Sequence, residues 1–312
     1  MIGRIANGLL GIVGKEFKYS RIIKKRLANE YHKQVATLEE GNKMIAQRLK
    51  GAEPFLVARI GLVELWLVLN YLEYQYRGKI TWHEPVKEPI WKLAGIFPVE
   101  DYYLKSFAKA YIEAIRATDL MGIWNNDGEN EVVRRFCPNA DLMPLESIEP
   151  YFFNEPWSAF LEGKKVLVVH PFEDSIKHQY LHKRQLLFAN QNVLPEFELK
   201  TVRSIQTLTY NTASFNNWIE VFEHMKAEIA KQDFDVALIG AGGYGLPLGA
   251  YVKSLGKQAI HMGGATQILF GIKGKRWEDR EQFQALFNEH WKRPFPEEQP
   301  NNAKLHENGA YW

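Results

Sequence analysis

The stretch Asp235-Val236-Ala237-Leu238-Ile239-Gly240-Ala241-Gly242-Gly243-Tyr244-Gly245 decides the fold. Its apolar run reads as a buried strand, and the pattern continuing to about Leu255 reads as a helix. Between them the glycines match G-x-G-x-x-G in the strand–turn–helix setting that this motif requires. Glycine permits positive φ and close backbone approach, and a helix N-terminus presents N–H groups and a favourable dipole to a phosphate. A nicotinamide dinucleotide is the literal inference. It would call for an acidic residue about 20 positions on, at the end of the next strand. That strand, Gln258-Ala259-Ile260-His261, runs instead into Met262-Gly263-Gly264. The motif therefore predicts contact with a phosphate or nucleotide, with a tight structural turn as the alternative.

Outward from this turn, strand and helix patterns alternate. Residues 165–170 form a β-branched run closed by Pro171, followed by helical spacing over 174–190. A strand is expected at 198–202 and a helix at 218–230. Upstream, residues 55–58 read as a strand, and Leu65, Leu69, Leu72 and Tyr76 repeat at helical spacing. Residues 78–98, rich in Pro and Trp, suggest a loop with aromatic packing. A helix over 101–117, a strand over 119–124 and a turn at 125–128 before a further helix complete the first half. This alternation predicts an α/β fold with a Rossmann-like parallel sheet flanked by helices. The expected divisions are an N-terminal helical extension over 1–50, an α/β domain over 51–293 with lobes 51–150 and 151–293, and a tail over 294–312.

Composition narrows the function. The 312 residues are 46% hydrophobic and 24% charged with a net charge of +2, so a globular core is expected and a nucleic-acid partner is not. Cys137 is the sole cysteine, which excludes an intrachain disulfide. No stretch approaches the roughly 18 uncharged residues of a membrane span. A cytoplasmic protein is expected. Arg4, Lys15, Lys18, Arg21, Lys24, Lys25 and Arg26, interleaved with apolar residues and one acid, Glu16, resemble an interfacial helix. Residues 1–28 are therefore expected to touch the inner face of the cell membrane peripherally.

Several clusters carry candidate chemistry. Arg59, Gly61 and Glu64 share a strand-to-helix turn, Arg59 suited to a phosphate and Glu64 to a proton or a sugar hydroxyl. His170 closes a strand, where open α/β sheets place ligands, and is a candidate acid or base. Gly263-Gly264, with Lys273, Lys275, Arg276 and Trp277 downstream, offers a second glycine turn beside cations that suit a diphosphate. Asp127-Gly128-Glu129 has the spacing of a carboxylate pair for Mg²⁺ or Mn²⁺. For each of these, a solvated loop, a cap or a salt bridge is the plainer alternative. His178 and His182 lie one turn apart without a matching third metal ligand.

The segments 235–248 and 256–277, with Arg59-x-Gly61-x-x-Glu64 and Val169-His170-Pro171-Phe172, resemble a block of bacterial proteins related to the GT-D-fold glycosyltransferases. The resemblance covers about residues 55–290. It implies a GT-D-like fold, sugar transfer from a nucleotide donor, usually UDP-linked, and a divalent metal held by D-x-E within R-x-G-D-G-E. This chain departs there: Leu62 and Val63 stand at the Asp and second Gly positions, and Glu64 remains. The expectation is a glycosyltransferase acting on a UDP-sugar and a glycan or lipid-linked acceptor in cell-surface polysaccharide or glycoconjugate assembly. Glu64 and His170 are the expected catalytic groups. Arg59, Gly61, Gly240, Gly242, Gly243, Tyr244, Gly245, His261, Gly263, Gly264, Lys273, Lys275 and Arg276 are the expected phosphate-binding residues. Mn²⁺ or Mg²⁺ is the implied cofactor, with Asp127 and Glu129 as substitute ligands. A non-catalytic nucleotide-binding scaffold and an NAD(P)-dependent oxidoreductase are the alternatives.

Overall fold

The computed structural model describes residues 31–77, 82, 84–300, 302–306 and 308–312. The basic segment 1–28 lies outside the described residues.

Among the described residues seven strands form one parallel sheet: β1 (Leu56–Arg59), β2 (Leu120–Ile123), β3 (Asp141–Pro144), β4 (Lys165–His170), β5 (Glu198–Arg203), β6 (Val236–Ile239) and β7 (Gln258–His261). Their order is β3-β2-β1-β7-β6-β4-β5. Parallel strands covered on both faces should be continuously apolar, and β2, β6 and β7 are buried along their whole length. Alternation along each strand divides the core. Leu56 and Ala58 of β1, with Leu167, Val169, Ala237 and Ile239, face one apolar cluster. Val57, Val166, Val168, Val236 and Leu238 face the other.

Helices α1 (Leu38–Lys50), α2 (Leu62–Arg77), α3 (Glu84–Lys92), α4 (Asp101–Arg116), α5 (Glu129–Phe136), α6 (Glu173–Leu187), α7 (Trp218–Ala230), α8 (Gly245–Ser254) and α9 (Ala265–Leu269) flank the sheet. Leu65 of α2, Leu104 of α4, Val221 of α7 and Leu248 of α8 close the first cluster. Ile45 and Leu49 of α1, Ile176 of α6 and Ile268 of α9 close the second. Residues 38–50, read from sequence as part of an extension, thus bury side chains in the body of the fold. Thr37 and Glu40 start α1 with a reciprocal capping box.

Two stretches differ from the sequence reading. Residues 84–92, expected as loop, are helical despite Pro89, because Val86 and Ile90, one turn apart and fully buried, gain more by packing than one lost backbone hydrogen bond costs. Trp82 is buried, and the half-buried Trp91 stacks on Phe97, centroids 5.6 Å apart. Strand β3 has only Leu142 and Met143 as apolar interior, too short for a sequence signal.

The tail is bonded into the fold. Glu298 accepts the Asp174 N–H at 2.8 Å and the Ser175 N–H at 3.3 Å, and it also accepts a hydrogen bond from the Ser175 hydroxyl. It therefore caps α6, whose own N-cap residue, Phe172, has no side-chain oxygen to do so. Hydrogen bonds to an ionised acceptor contribute about 1.5–3 kcal/mol each.

Among the described residues no helix is long and apolar enough to cross a membrane.

Candidate functional site

The chain leaves β4 toward β5 and leaves β6 toward β7, which lie on opposite sides. Such a reversal opens a crevice at the carboxyl ends of the two strands. His170 ends β4 and Gly240 follows β6, and they touch: a Cβ on Gly240 would lie 2.6 Å from His170 Cδ2 and 2.6 Å from the Gly263 carbonyl oxygen. Only hydrogen fits at 240. Gly263 in turn carries φ +62° and supports Arg59, since a Cβ there would meet Nε and Nη2 of Arg59 at 2.7 Å. A contiguous line therefore runs His170, Gly240, Gly263, Arg59 across the carboxyl edge.

Arg59 is the centre of this edge. Its guanidinium carbon lies 4.8 Å from the ring centroid of Trp124, just beyond β2, an attractive cation–π geometry. The half-buried guanidinium makes no hydrogen bond or ion pair with a described residue. Five donors in a planar fork are thus held in place without an acceptor.

Glu64, in the first turn of α2, folds back over Gly61, where any Cβ would collide with its carboxylate. Only 9% of it is exposed, and burial pushes its carboxyl above the usual range against the opposing pull of Arg59 and its own backbone N–H. Beneath it the Tyr111 hydroxyl accepts the Gly61 N–H at 3.3 Å. His261 is 2% exposed with neither ring nitrogen in a well-formed hydrogen bond, and it fills the space where Gly245 lacks a side chain. Burial, reinforced by Arg59, drives its pKa well below the ordinary value, although the nearby Arg59 backbone favours charge. His170 is held near pKa 3 by burial, and its Nδ1 accepts the Phe172 N–H at 3.1 Å. It is therefore neutral, with its proton on Nε2.

Other expected residues are engaged elsewhere. The Gly243 N–H donates to the Ala94 carbonyl at 3.0 Å, and the Tyr244 hydroxyl donates to the Gly95 carbonyl at 3.0 Å while accepting from Thr207. At Gly243 and Tyr244 the turn serves to seat the 94–95 segment; Gly242, with φ +54°, remains exposed. The basic loop faces the tail. Lys275 donates to the Asn308 carbonyl at 3.4 Å and Arg276 to the Tyr311 hydroxyl at 2.9 Å, while Lys273 lies over the Phe287 ring at 5.2 Å. Tyr311 and Trp277 also cover Gly264. The reason is local: aromatic rings and tail carbonyls offer these cations nearby partners.

Asp127 and Glu129 do not converge. Asp127 is exposed, whereas Glu129 is fully buried and its Oε2 accepts the Trp124 N–H at 2.9 Å, the Asn126 N–H at 3.3 Å and the Tyr31 hydroxyl at 3.0 Å. Glu129 ties down the 124–126 turn and so positions Trp124. Its pKa is raised to about 7 by burial, and the unpartnered Oε1 suits a proton.

The divalent ion implied by the sequence resemblance does not fit the residues present. Position 62 offers an aliphatic side chain, Glu64 is folded onto its own turn, and among the described residues no group of three His, Cys, Asp or Glu side chains converges. Sequence reading missed Trp124, Tyr111 and Glu149. Trp124 ends a strand at the carboxyl edge, which was a usable signal. Glu149, raised to about 7 by burial and by Glu146, and opposed by Tyr151, Arg280 and Arg59, follows the strand that the sequence did not reveal.

No family model and no curated protein matches the chain. Two solved structures resemble it, each with 13% identity and a TM-score of 0.48 over 95% of its own chain. One is a selenomethionine-substituted structure of domain of unknown function 1792, matched over 88% of this chain. The other, matched over 87%, is described as the highly conserved domain of unknown function 1792 having a distinct glycosyltransferase fold.

Proposed function

We propose that the chain is a glycosyltransferase that takes a sugar from a nucleoside-diphosphate donor, a UDP-sugar, and passes it to a glycan or lipid-linked acceptor of cell-surface polysaccharide or glycoconjugate assembly. The observation that carries this reading is the Arg59 guanidinium, without a hydrogen-bond or ion-pair partner among the described residues and held by Trp124 and Gly263 at the carboxyl edge of the sheet. A fixed cation there suits the charge that develops on a departing diphosphate. In the transfer, the acceptor oxygen bonds to the anomeric carbon as the bond from that carbon to the diphosphate breaks, and the acceptor's proton passes to a base. Glu64 is that base in this reading. Its raised pKa makes it a stronger proton acceptor when ionised, at the expense of the ionised fraction. His170, neutral and bearing its proton on Nε2, serves as a hydrogen-bond donor rather than a base.

The test is a thermal-shift panel of UDP, GDP, CMP and NAD(H), because a ligand that binds only the native state raises apparent stability. A rise with a nucleoside diphosphate that NAD(H) does not reproduce is expected. A rise with NAD(H) alone would favour the oxidoreductase alternative, and no rise with any compound would favour a scaffold.

A further inference from the structure

We propose that Arg59, with no divalent ion, is the cation that holds the donor's diphosphate in this chain. The inference rests on the nucleotide-sugar reading and goes beyond it in assigning the binding of the donor's diphosphate to Arg59 without a metal.

Three independent features converge on this point. First, an arginine half-buried at the edge of a sheet would be expected to bond a carboxylate or carbonyl, yet this guanidinium makes no hydrogen bond or ion pair with one among the described residues, although the Glu64 and Glu149 carboxyls lie within its field. It is nevertheless fixed, with Trp124 on one side and the bare backbone of Gly263 on another. A rigid fork without an acceptor matches the oxygens of a phosphate, which accept two parallel N–H bonds. Second, His261, buried against the first residue of α8, a ten-residue helix, has neither ring nitrogen in a well-formed hydrogen bond, so the edge beside Arg59 carries a polar group that its surroundings satisfy poorly. Third, the carboxylates that a divalent ion would need are not assembled. Leu62 offers no oxygen, Glu64 is turned over Gly61, and Glu129 is spent on the 124–126 turn. The Lys275 and Arg276 side chains, the other cations considered for this role, are bonded to the tail.

Trp124 gives the arrangement a second purpose. It is 40% exposed, so its ring is a shelf that orients the guanidinium without enclosing it. Its position depends on the Trp124 N–H bond to Glu129, which links the buried carboxyl to the geometry of the anion site.

The experiment is calorimetric titration of UDP into the full chain, once with excess EDTA and once with MnCl2, for the wild type, Arg59→Lys and Trp124→Ala. Circular dichroism verifies that each variant is folded. The wild type is expected to bind UDP with the same affinity in both buffers. Arg59→Lys keeps the charge but loses the bidentate fork, and a weakening of about tenfold or more is expected. Trp124→Ala, at an exposed position that should not endanger folding, is expected to weaken UDP in the same direction. Binding that appears only with Mn²⁺, or an unchanged affinity in both folded variants, overturns the proposal while leaving the nucleotide-sugar reading in place. Failure of UDP to bind the folded wild type in either buffer overturns both.

Discussion

Glu64→Gln is expected to lower sugar transfer by about 10²–10⁴-fold, the usual worth of a positioned general base, while leaving donor affinity within a small factor of the wild type. The glutamine keeps the shape that fits over Gly61 but cannot take a proton. Because burial raises the Glu64 carboxyl pKa, the wild-type rate should climb with pH as that group ionises, and the variant should lose this limb of the profile. The measurements are kcat and donor KM against pH. A variant that retains both the rate and the rising limb would remove Glu64 from the chemistry. A variant that loses donor affinity in proportion to rate would make it a binding group instead.

The second large effect concerns stability and follows from Glu129. Its folded pKa, about 7, lies above the ordinary 4.5, so the folded state holds this proton more tightly than the unfolded chain. The associated stabilisation is complete below pH 4.5 and is lost as pH rises through about 7. Integrated over that interval the shift corresponds to about 3 kcal/mol. In Glu129→Gln the amide oxygen still accepts the backbone N–H groups of Trp124 and Asn126, but nothing titrates. Urea denaturation from pH 4.5 to 8 should therefore show the wild type losing stability relative to the variant up to about pH 7, then a constant difference. A difference that does not change with pH, or that moves in the opposite sense, contradicts the assignment.

Periodicity carried the sheet well. The apolar runs at 165–170 and 235–239, and the shorter one at 258–261, became the strands β4, β6 and β7. The strand at Asp141–Pro144 was illegible because two apolar residues carry no period, and its place was set by pairing with β2 over four residues. Helix 84–92 was hidden by Pro89, whose local preference lost to the burial of Val86 and Ile90.

The site was legible in part. Gly240, Gly263, Arg59, Glu64, His170 and His261 could be named because each sits at the carboxyl end of a strand or at the start of the next helix. What sequence could not supply was partnership. The Gly243 N–H and the Tyr244 hydroxyl are committed to residues about 150 positions away, and Arg276 is bound by Tyr311 of the tail. The Glu129 carboxylate is committed to Tyr31, 98 residues earlier in the chain. Local patterns do not report such long-range contacts.

The most direct test is a crystal structure of the full chain with UDP. The account predicts phosphate oxygens within hydrogen-bonding distance of the Arg59 guanidinium, between Trp124 and Gly263, along the edge that leads to His170. A nucleotide seated against Lys275 and Arg276 with the tail displaced, or away from the carboxyl ends of β1, β6 and β7, would contradict it.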